Sequence, residues 1–199
     1  MYTAQYEEDI WLDQNWEQLK LPEHGFFVEF GAGDGKTISN TYWLEKTKGW
    51  HGLLIEADVR HEIQDRPNSI IEMGLVVGPD QLVLFGVTDD PYLSGIYRTD
   101  TTGPVIARKR VEMQSSTLSS ILDKHKIEKV DFISIDTEGS ELEAWKTLDL
   151  NRWRPKVAMI ELYTLGLGDN TKEVFAQMEK DGYTLKHQTG NGIFMDNKS

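Results

Sequence analysis

Short apolar runs alternate along the chain with stretches whose apolar positions recur every three or four residues, a pattern that predicts a sheet wrapped by helices. The first stretch, 4–20, carries Tyr6, Ile10, Trp11, Trp16 and Leu19 at mostly helical intervals among acids and amides. It predicts an amphipathic helix that stops before Leu21-Pro22-Glu23. The run Gly25-Phe26-Phe27-Val28-Glu29-Phe30 then reads as a buried strand entering a glycine turn. A helix over 39–48, with Tyr42, Trp43 and Leu44 on its surface, and a buried strand at 52–56 complete a strand, turn, helix, strand unit.

Further strands are predicted at 69–73 and 82–87, with the turn Gly78-Pro79-Asp80 between them. The stretch 87–104, polar and rich in Gly, Pro and Thr from Asp89 onward, is longer than most connections inside a domain. It reads either as a lid or acceptor-binding loop or as a disordered excursion. Regularity returns at 105–113, after which Ser116 or Thr117 caps a helix reaching about His125. A strand at 130–135, a helix at 138–148, a strand at 156–161 and a helix at 171–180 follow. Closing strands at 183–186 and 193–195 flank Gly190-Asn191-Gly192, a hairpin signal that makes the last pair antiparallel. The pattern is that of a single α/β domain spanning 1–199, without internal repeat, low-complexity tract or linker.

Composition narrows the function. With 21 Lys and Arg against 33 Asp and Glu, the net charge of −12 opposes general binding to nucleic acid or to an anionic membrane surface. The chain has no cysteine, so disulfides, thiolate zinc sites and cysteine nucleophiles are excluded. No apolar run reaches the length of a membrane span, and the opening MYTAQYEEDIW is acidic where a secretory signal would be basic. The expected compartment is the cytoplasm.

In a doubly wound sheet, ligands sit at the carboxyl ends of the strands near the switch in strand order. The first such end is Glu29-Phe30-Gly31-Ala32-Gly33-Asp34-Gly35. Its G-x-G-x-G spacing departs from the dinucleotide fingerprint, whose third glycine falls where Lys36 stands. An acid at Glu29 suits a ligand with an amine or sulfonium better than a pyrophosphate. Glu56 closes the next strand, roughly 20 residues past the loop, where an acid accepts hydrogen bonds from ribose hydroxyls. That spacing also fits NAD, so it identifies a ribose and not the chemistry. A strand-end acid has few core contacts, so Glu56 is expected to matter for binding and little for folding.

Two more strand ends carry acids, Asp136-Thr137-Glu138-Gly139-Ser140-Glu141 and Glu161. Asp136 and Glu138 are the candidate catalytic residues: they orient an acceptor hydroxyl and take its proton, or with Glu161 offer oxygen ligands to a hard cation such as Mg²⁺. Against this, Glu138 and Glu141 fall in the expected first turn of a helix, where acids favour the macrodipole, and Glu141 reads as structural. The five histidines show no metal-ligand spacing, and Trp11, Trp43, Trp50, Trp145 and Trp153 read as packing residues.

Taken in order, these segments resemble the FkbM-type family of S-adenosylmethionine-dependent methyltransferases. Gln5-Tyr6-Glu7-Glu8-Asp9 is similar to the family's S-Q-x-x-E-D element, and residues 27–35 to its F-V-[DE]-x-G-A-x-D-G loop. Ser39-Asn40-Thr41, Leu44-Glu45 and Gly49-Trp50-His51-Gly52-Leu53-Leu54-Ile55-Glu56 follow the S-N-T, L-E and G-W-x-G-L-L-x-E order of one branch. Residues 131–141 are similar to D-[FY]-x-x-x-D-x-E-G-x-E.

The resemblance implies a Rossmann-like class I methyltransferase fold, three layers αβα around a mostly parallel seven-stranded sheet with an antiparallel last strand. It implies S-adenosylmethionine as cofactor and methyl transfer to a hydroxyl of a carbohydrate or other small polyhydroxylated acceptor. By position, Glu29 with Gly31, Ala32, Gly33 and Gly35 would hold the methionine part, Glu56 the ribose, Ala57 the adenine edge, and Asp136 the region around the methyl. Gly33 stands where the family commonly has Asn, and Ala57 where a proline often follows the acid. The alternatives are a nucleoside-binding module without catalysis and, further off, an NAD-dependent oxidoreductase.

Overall fold

A computed structural model describes residues 1–97, 107–164 and 168–198. In chain order its elements are α1 (Glu8–Gln14), β1 (Phe26–Phe30), α2 (Tyr42–Lys48), β2 (His51–Glu56), β3 (Ser69–Met73), β4 (Val76–Val77) and β5 (Leu82–Val87). A 3-10 turn (Pro91–Leu93), β6 (Gly95–Ile96), β7 (Lys109–Ser116), α3 (Leu118–Lys124), β8 (Phe132–Ile135) and α4 (Glu141–Trp145) come next. The chain closes with β9 (Val157–Glu161), β10 (Tyr163–Thr164), β11 (Gly168–Asp169), α5 (Thr171–Lys180), β12 (Tyr183–Gln188) and β13 (Asn191–Asp196).

Seven strands form the central sheet in the order β12-β13-β9-β8-β1-β2-β3. β1 pairs in parallel with β2 and β8, and β2–β3 and β8–β9 are parallel as well. The last strand, β13, lies between β9 and β12 and is antiparallel to both. This is the αβα architecture, with a mostly parallel seven-stranded sheet and an antiparallel last strand, expected from the sequence. Chain order reverses between β1 and β8, which opens a crevice at their carboxyl ends.

Alternation along the strands divides the core between the two faces of the sheet. Val28, Phe30, Ile133, Ile135 and Ile160 pack with Leu118, Ile121, Trp145 and Val174 on one side. Phe27, Leu54, Phe132 and Met159 pack with Leu12, Trp43 and Trp50 on the other. Leu54 and Trp50 are completely buried, as the apolar run at β2 requires. No helix among the described residues is long and apolar enough to cross a membrane.

Three helices are shorter than the sequence pattern predicts, and in each case a polar side chain turns back onto the backbone. The N-terminal helix covers only Glu8–Gln14 instead of 4–20. Asp9 accepts the amide protons of Thr3 and Ala4 at 2.6 and 3.0 Å, and Glu8 that of Tyr6 at 2.9 Å, which hooks residues 3–6 around the two carboxylates. The helix expected from residue 39 starts at Tyr42, because Ser39-Asn40-Thr41 wraps the Glu29 carboxylate. The helix expected over 138–148 is confined to Glu141–Trp145, since Glu138 is left-handed with φ 55°. Glu138 therefore lies outside the helix.

Residues 76–116 add a second sheet, β4-β7-β5-β6, in which β5 and β7 pair antiparallel over six positions. Of the stretch 87–104, residues 98–104 lie outside the described residues; Pro91–Leu93 and β6 form a strap along the rim of the crevice.

Candidate active site

A cleft of about 470 Å³ opens at the carboxyl ends of β1, β2, β8 and β9. Its size is that of a small-molecule site. Gly31 and Gly33 form one wall, Glu56 and Ala57 the second, the strap around Tyr92 the third, and Asp136, Glu138 and Glu161 the floor toward β8 and β9.

The glycine spacing has a backbone cause. Gly31, Gly33 and Gly35 have φ of 71°, 55° and 79°, in the left-handed region. A β-carbon on Gly31 would also overlap the carbonyl oxygen of Asp136, so the loop crosses the end of β8 at a distance only glycine permits. The Gly31 amide donates to the Ile55 carbonyl at 3.0 Å, tying the loop to β2 as well. Glu56, 7% exposed, takes the amide protons of Gly33 at 2.8 Å and Asp58 at 2.7 Å, one on each oxygen. Burial pushes its carboxyl above the usual range, against the pull of those two amides. Each carboxylate oxygen has a second lone pair left for a ligand hydroxyl.

Glu29 is placed differently. It is 3% exposed and lies behind the loop, not on the wall of the main cleft. Its oxygens accept from Ser39 Oγ at 2.9 Å, the Asn40 amide at 2.8 Å and Thr41 Oγ1 at 2.6 Å, and Arg66 stands 3.6 Å away. Arg66 is itself fully buried and donates to Glu45 at 2.7 Å and the Gly35 carbonyl at 2.7 Å. Glu29 and Arg66 together brace residues 35–41 from beneath. Ala32 is buried behind the loop beside Glu29, and a β-carbon on Gly35 would press on Ile63 and Arg66, so these two glycine-loop residues support the turn without lining the main cleft.

Asp136, Glu138 and Glu161 bring carboxylate oxygens within 4.8 Å of one another, and all three side chains are half-buried. Burial and the Glu141 charge push Asp136 up to about 7. Burial and the Asp136 charge push Glu138 up to about 8. Glu161, under burial and the same two acids with Glu141, is pushed up to about 12. Three like charges so close do not ionise together, so the floor holds protons at neutral pH. The arrangement can take a proton, orient a hydroxyl, or supply oxygen ligands to a cation.

Glu141 is part of the support. Its Oε1 accepts the amides of Thr137 and Gly139 at 3.0 and 2.8 Å and so fixes the turn that presents Asp136 and Glu138. The sequence reads Glu141 as structural through the helix macrodipole; here its support runs through the amides of the preceding turn.

Several further residues border this cleft or hold its rim. Tyr6 reaches it from the N-terminal hook, its ring packed against Gly190, and its phenol is pushed up by burial and by the charge of Glu161. Tyr92 lies over Gly33 and contacts the His61 ring at a centroid separation of 4.7 Å. Arg60 holds the strap, donating to Asp58 at 2.9 Å, to the Thr88 carbonyl at 2.8 Å and to Ser94 Oγ at 3.1 Å. Tyr92, Thr88 and Ser94 fall within the stretch 87–104, which the sequence marks as a lid or acceptor-binding loop or a disordered excursion.

The Methyltransferase FkbM domain model matches residues 29–185 of this chain. No curated protein sequence matches it with significance. Among solved structures, a precorrin-6y C5,15-methyltransferase from Geobacter metallireducens GS-15 is 12% identical, with 92% of this chain and 84% of that chain covered and a TM-score of 0.47. A putative ribosomal RNA methyltransferase from Plasmodium falciparum is 11% identical, covering 98% and 96%, with a TM-score of 0.48.

Proposed function

This chain belongs to the methyltransferase FkbM domain family, and from that premise we propose that its cleft holds S-adenosylmethionine and passes the methyl to a hydroxyl oxygen of a carbohydrate or other small polyhydroxylated acceptor. The observation that carries the reading is one cleft in which a glycine loop tied to Glu56 faces three converging carboxyl groups. The residues fit such a cofactor. Anionic walls suit a sulfonium and an ammonium, and they disfavour the pyrophosphate of NAD.

S-adenosylmethionine brings a methyl group already activated by its positive sulfur. The protein therefore has to place, orient and deprotonate. Glu56 would hold the ribose hydroxyls with its remaining lone pairs, and Ala57, beside it on the same wall, would border the base. Glu138 accepts a hydrogen bond from the acceptor hydroxyl, and Asp136 takes the proton at a carboxylate oxygen, a step that general bases accelerate by about 10²- to 10⁴-fold. Because Glu161 holds its own proton, it can donate to Asp136 and keep that carboxylate oriented. Tyr6 and Tyr92 narrow the mouth and exclude water.

A second reading rests on the same floor: the three carboxyl groups could coordinate a divalent cation such as Mg²⁺, which would lower the pKa of the acceptor hydroxyl.

Thermal melting with S-adenosylhomocysteine and with NADH tests the cofactor, and only the former should stabilise. Mass spectrometry of glycans and polyols incubated with methyl-labelled S-adenosylmethionine tests the acceptor. Binding without transfer to any acceptor, with Asp136→Ala silent, would assign the chain to the non-catalytic binding modules.

A further inference from the structure

Asn40 keeps a hydrogen-bond acceptor unmatched in a buried place. Its side chain is 5% exposed, its Nδ2 donates to Ser134 Oγ at 3.0 Å, and its Oδ1 has no partner among the described residues. Buried polar atoms in folded proteins are almost always paired with protein, water or ligand. The position is not accidental, because Asn40 is held from two sides. Its backbone amide donates to Glu29 on β1, and its side chain donates to Ser134, the residue directly beside Glu29 on β8.

Asn40 lines a chamber of about 20 Å³ together with Glu29, Ser39, Ser134 and Asp136. That volume admits one small polar group. The chamber adjoins the main cleft, since Gly31, Gly33, Tyr92 and Asp136 wall both. It lies on the β1–β8 side of the glycine loop, whereas Glu56 stands at the end of β2 on the other side. A ligand whose ribose meets Glu56 and whose chain crosses the loop would bring its far end to Asn40.

The chemistry of that end follows from the surroundings. Glu29 and Asp136 are acids, and the open valence of Asn40 is an acceptor, so the chamber suits a cationic donor and opposes a carboxylate. We propose that Asn40 Oδ1 receives the ammonium group of the cofactor's amino-acid portion. Glu29, whose own oxygens are engaged by Ser39, Asn40 and Thr41, acts as the positioning residue that aims Asn40. The inference rests on the S-adenosylmethionine reading and adds the group that reads the amino-acid end.

Calorimetric titration of the full chain with three ligands tests it: S-adenosylhomocysteine, 5′-methylthioadenosine, which lacks the amino-acid portion, and the deaminated analogue of S-adenosylhomocysteine. In the wild type, S-adenosylhomocysteine should bind about tenfold more tightly than either of the others, as a charge-assisted hydrogen bond requires. Asn40→Ala should remove most of that advantage and leave 5′-methylthioadenosine within about twofold of wild type. Asn40→Ser, a smaller disturbance, should show the same split and serves if the alanine variant misfolds. The proposal is overturned if both variants keep the wild-type preference, which would leave Oδ1 to a water, or if all ligands weaken equally, which would make Asn40 a structural brace. If the wild type binds neither S-adenosylhomocysteine nor 5′-methylthioadenosine, the cofactor reading falls and this inference with it.

Discussion

The Glu56 carboxylate accepts the Gly33 amide proton at 2.8 Å, so the acid that ends β2 and the loop that follows β1 hold each other in place. The same side chain satisfies the Asp58 amide at 2.7 Å, and it is buried. The expectation that this acid matters little for folding is therefore corrected: removing it strands two buried donors. Glu56→Ala should cost about 1–3 kcal/mol of stability. In a domain of this size each kcal/mol lowers the melting temperature by about 2–4 °C. The same variant should bind S-adenosylhomocysteine at least about tenfold more weakly, because the ribose loses its acceptor. Glu56→Gln retains one acceptor oxygen and should recover part of the stability. Melting curves and titration calorimetry on both variants check this, and wild-type values in both would remove Glu56 from either role.

Two left-handed glycines separate backbone strain from close approach. Gly31 has φ 71° and Gly49, the C-cap of α2, has φ 68°. A β-carbon on Gly49 meets nothing within 4 Å, while one on Gly31 overlaps the Asp136 carbonyl. Gly49→Ala should therefore cost only the left-handed penalty, about 1–2 kcal/mol. Gly31→Ala must also push β1 from β8, and should lower the melting temperature well beyond that or prevent folding. Equal melting shifts in the two variants would contradict this account of the loop.

The elements that position the site were legible where one apolar run decides the outcome. Residues 25–30, 52–56 and 130–135 are too short and apolar for anything but buried strands, and Gly31, Gly33 and Gly35 mark the turn between them. The less legible parts depend on partners distant in sequence. Asp9 and Glu141 look like solvated helix acids until their carboxylates are seen to bind the amides of Thr3 and Thr137. Glu29, one residue before the end of β1, alternates to the face away from Phe30 and meets Ser39, a pairing no spacing reveals. The small sheet needs β5 to find β7 across a stretch with no apolar period, and with it comes the placing of Tyr92 over Gly33.

The raised acids of the floor give stability a pH dependence whose sign is fixed. An acid with a folded pKa above its unfolded value binds protons more tightly in the folded chain, so its stabilisation is complete below about pH 4 and is lost as pH rises. The loss runs through about 7 for Asp136 and about 8 for Glu138. Without ligand, the protein should melt on the order of 5 °C lower at pH 9 than at pH 5. Asp136→Asn with Glu138→Gln, which cannot ionise, should flatten that slope. A melting temperature rising over the same range would show that the carboxyl groups are not forced together.

Asp136 offers the sharpest separation between binding and chemistry, because it lies on the cleft floor beside two other acids, away from Glu56, the residue proposed to meet the ribose. Asp136→Asn keeps size and hydrogen bonding but cannot take a proton. Turnover with an identified acceptor should fall by about 10²- to 10⁴-fold, while S-adenosylhomocysteine affinity, which loses one acid bordering the ammonium chamber, should fall by about tenfold or less. The wild-type rate should rise with pH through the Asp136 value of about 7, since only the carboxylate accepts the proton, and the variant should lose that rise. The same assay distinguishes base from cation ligand. A base works in the presence of a chelator, whereas a cation held by Asp136, Glu138 and Glu161 would make turnover vanish on chelation and return with added Mg²⁺, with Glu161→Gln weakening the metal response. We expect turnover to survive chelation, because at neutral pH the protons already held by this floor compete with a cation for the same oxygens.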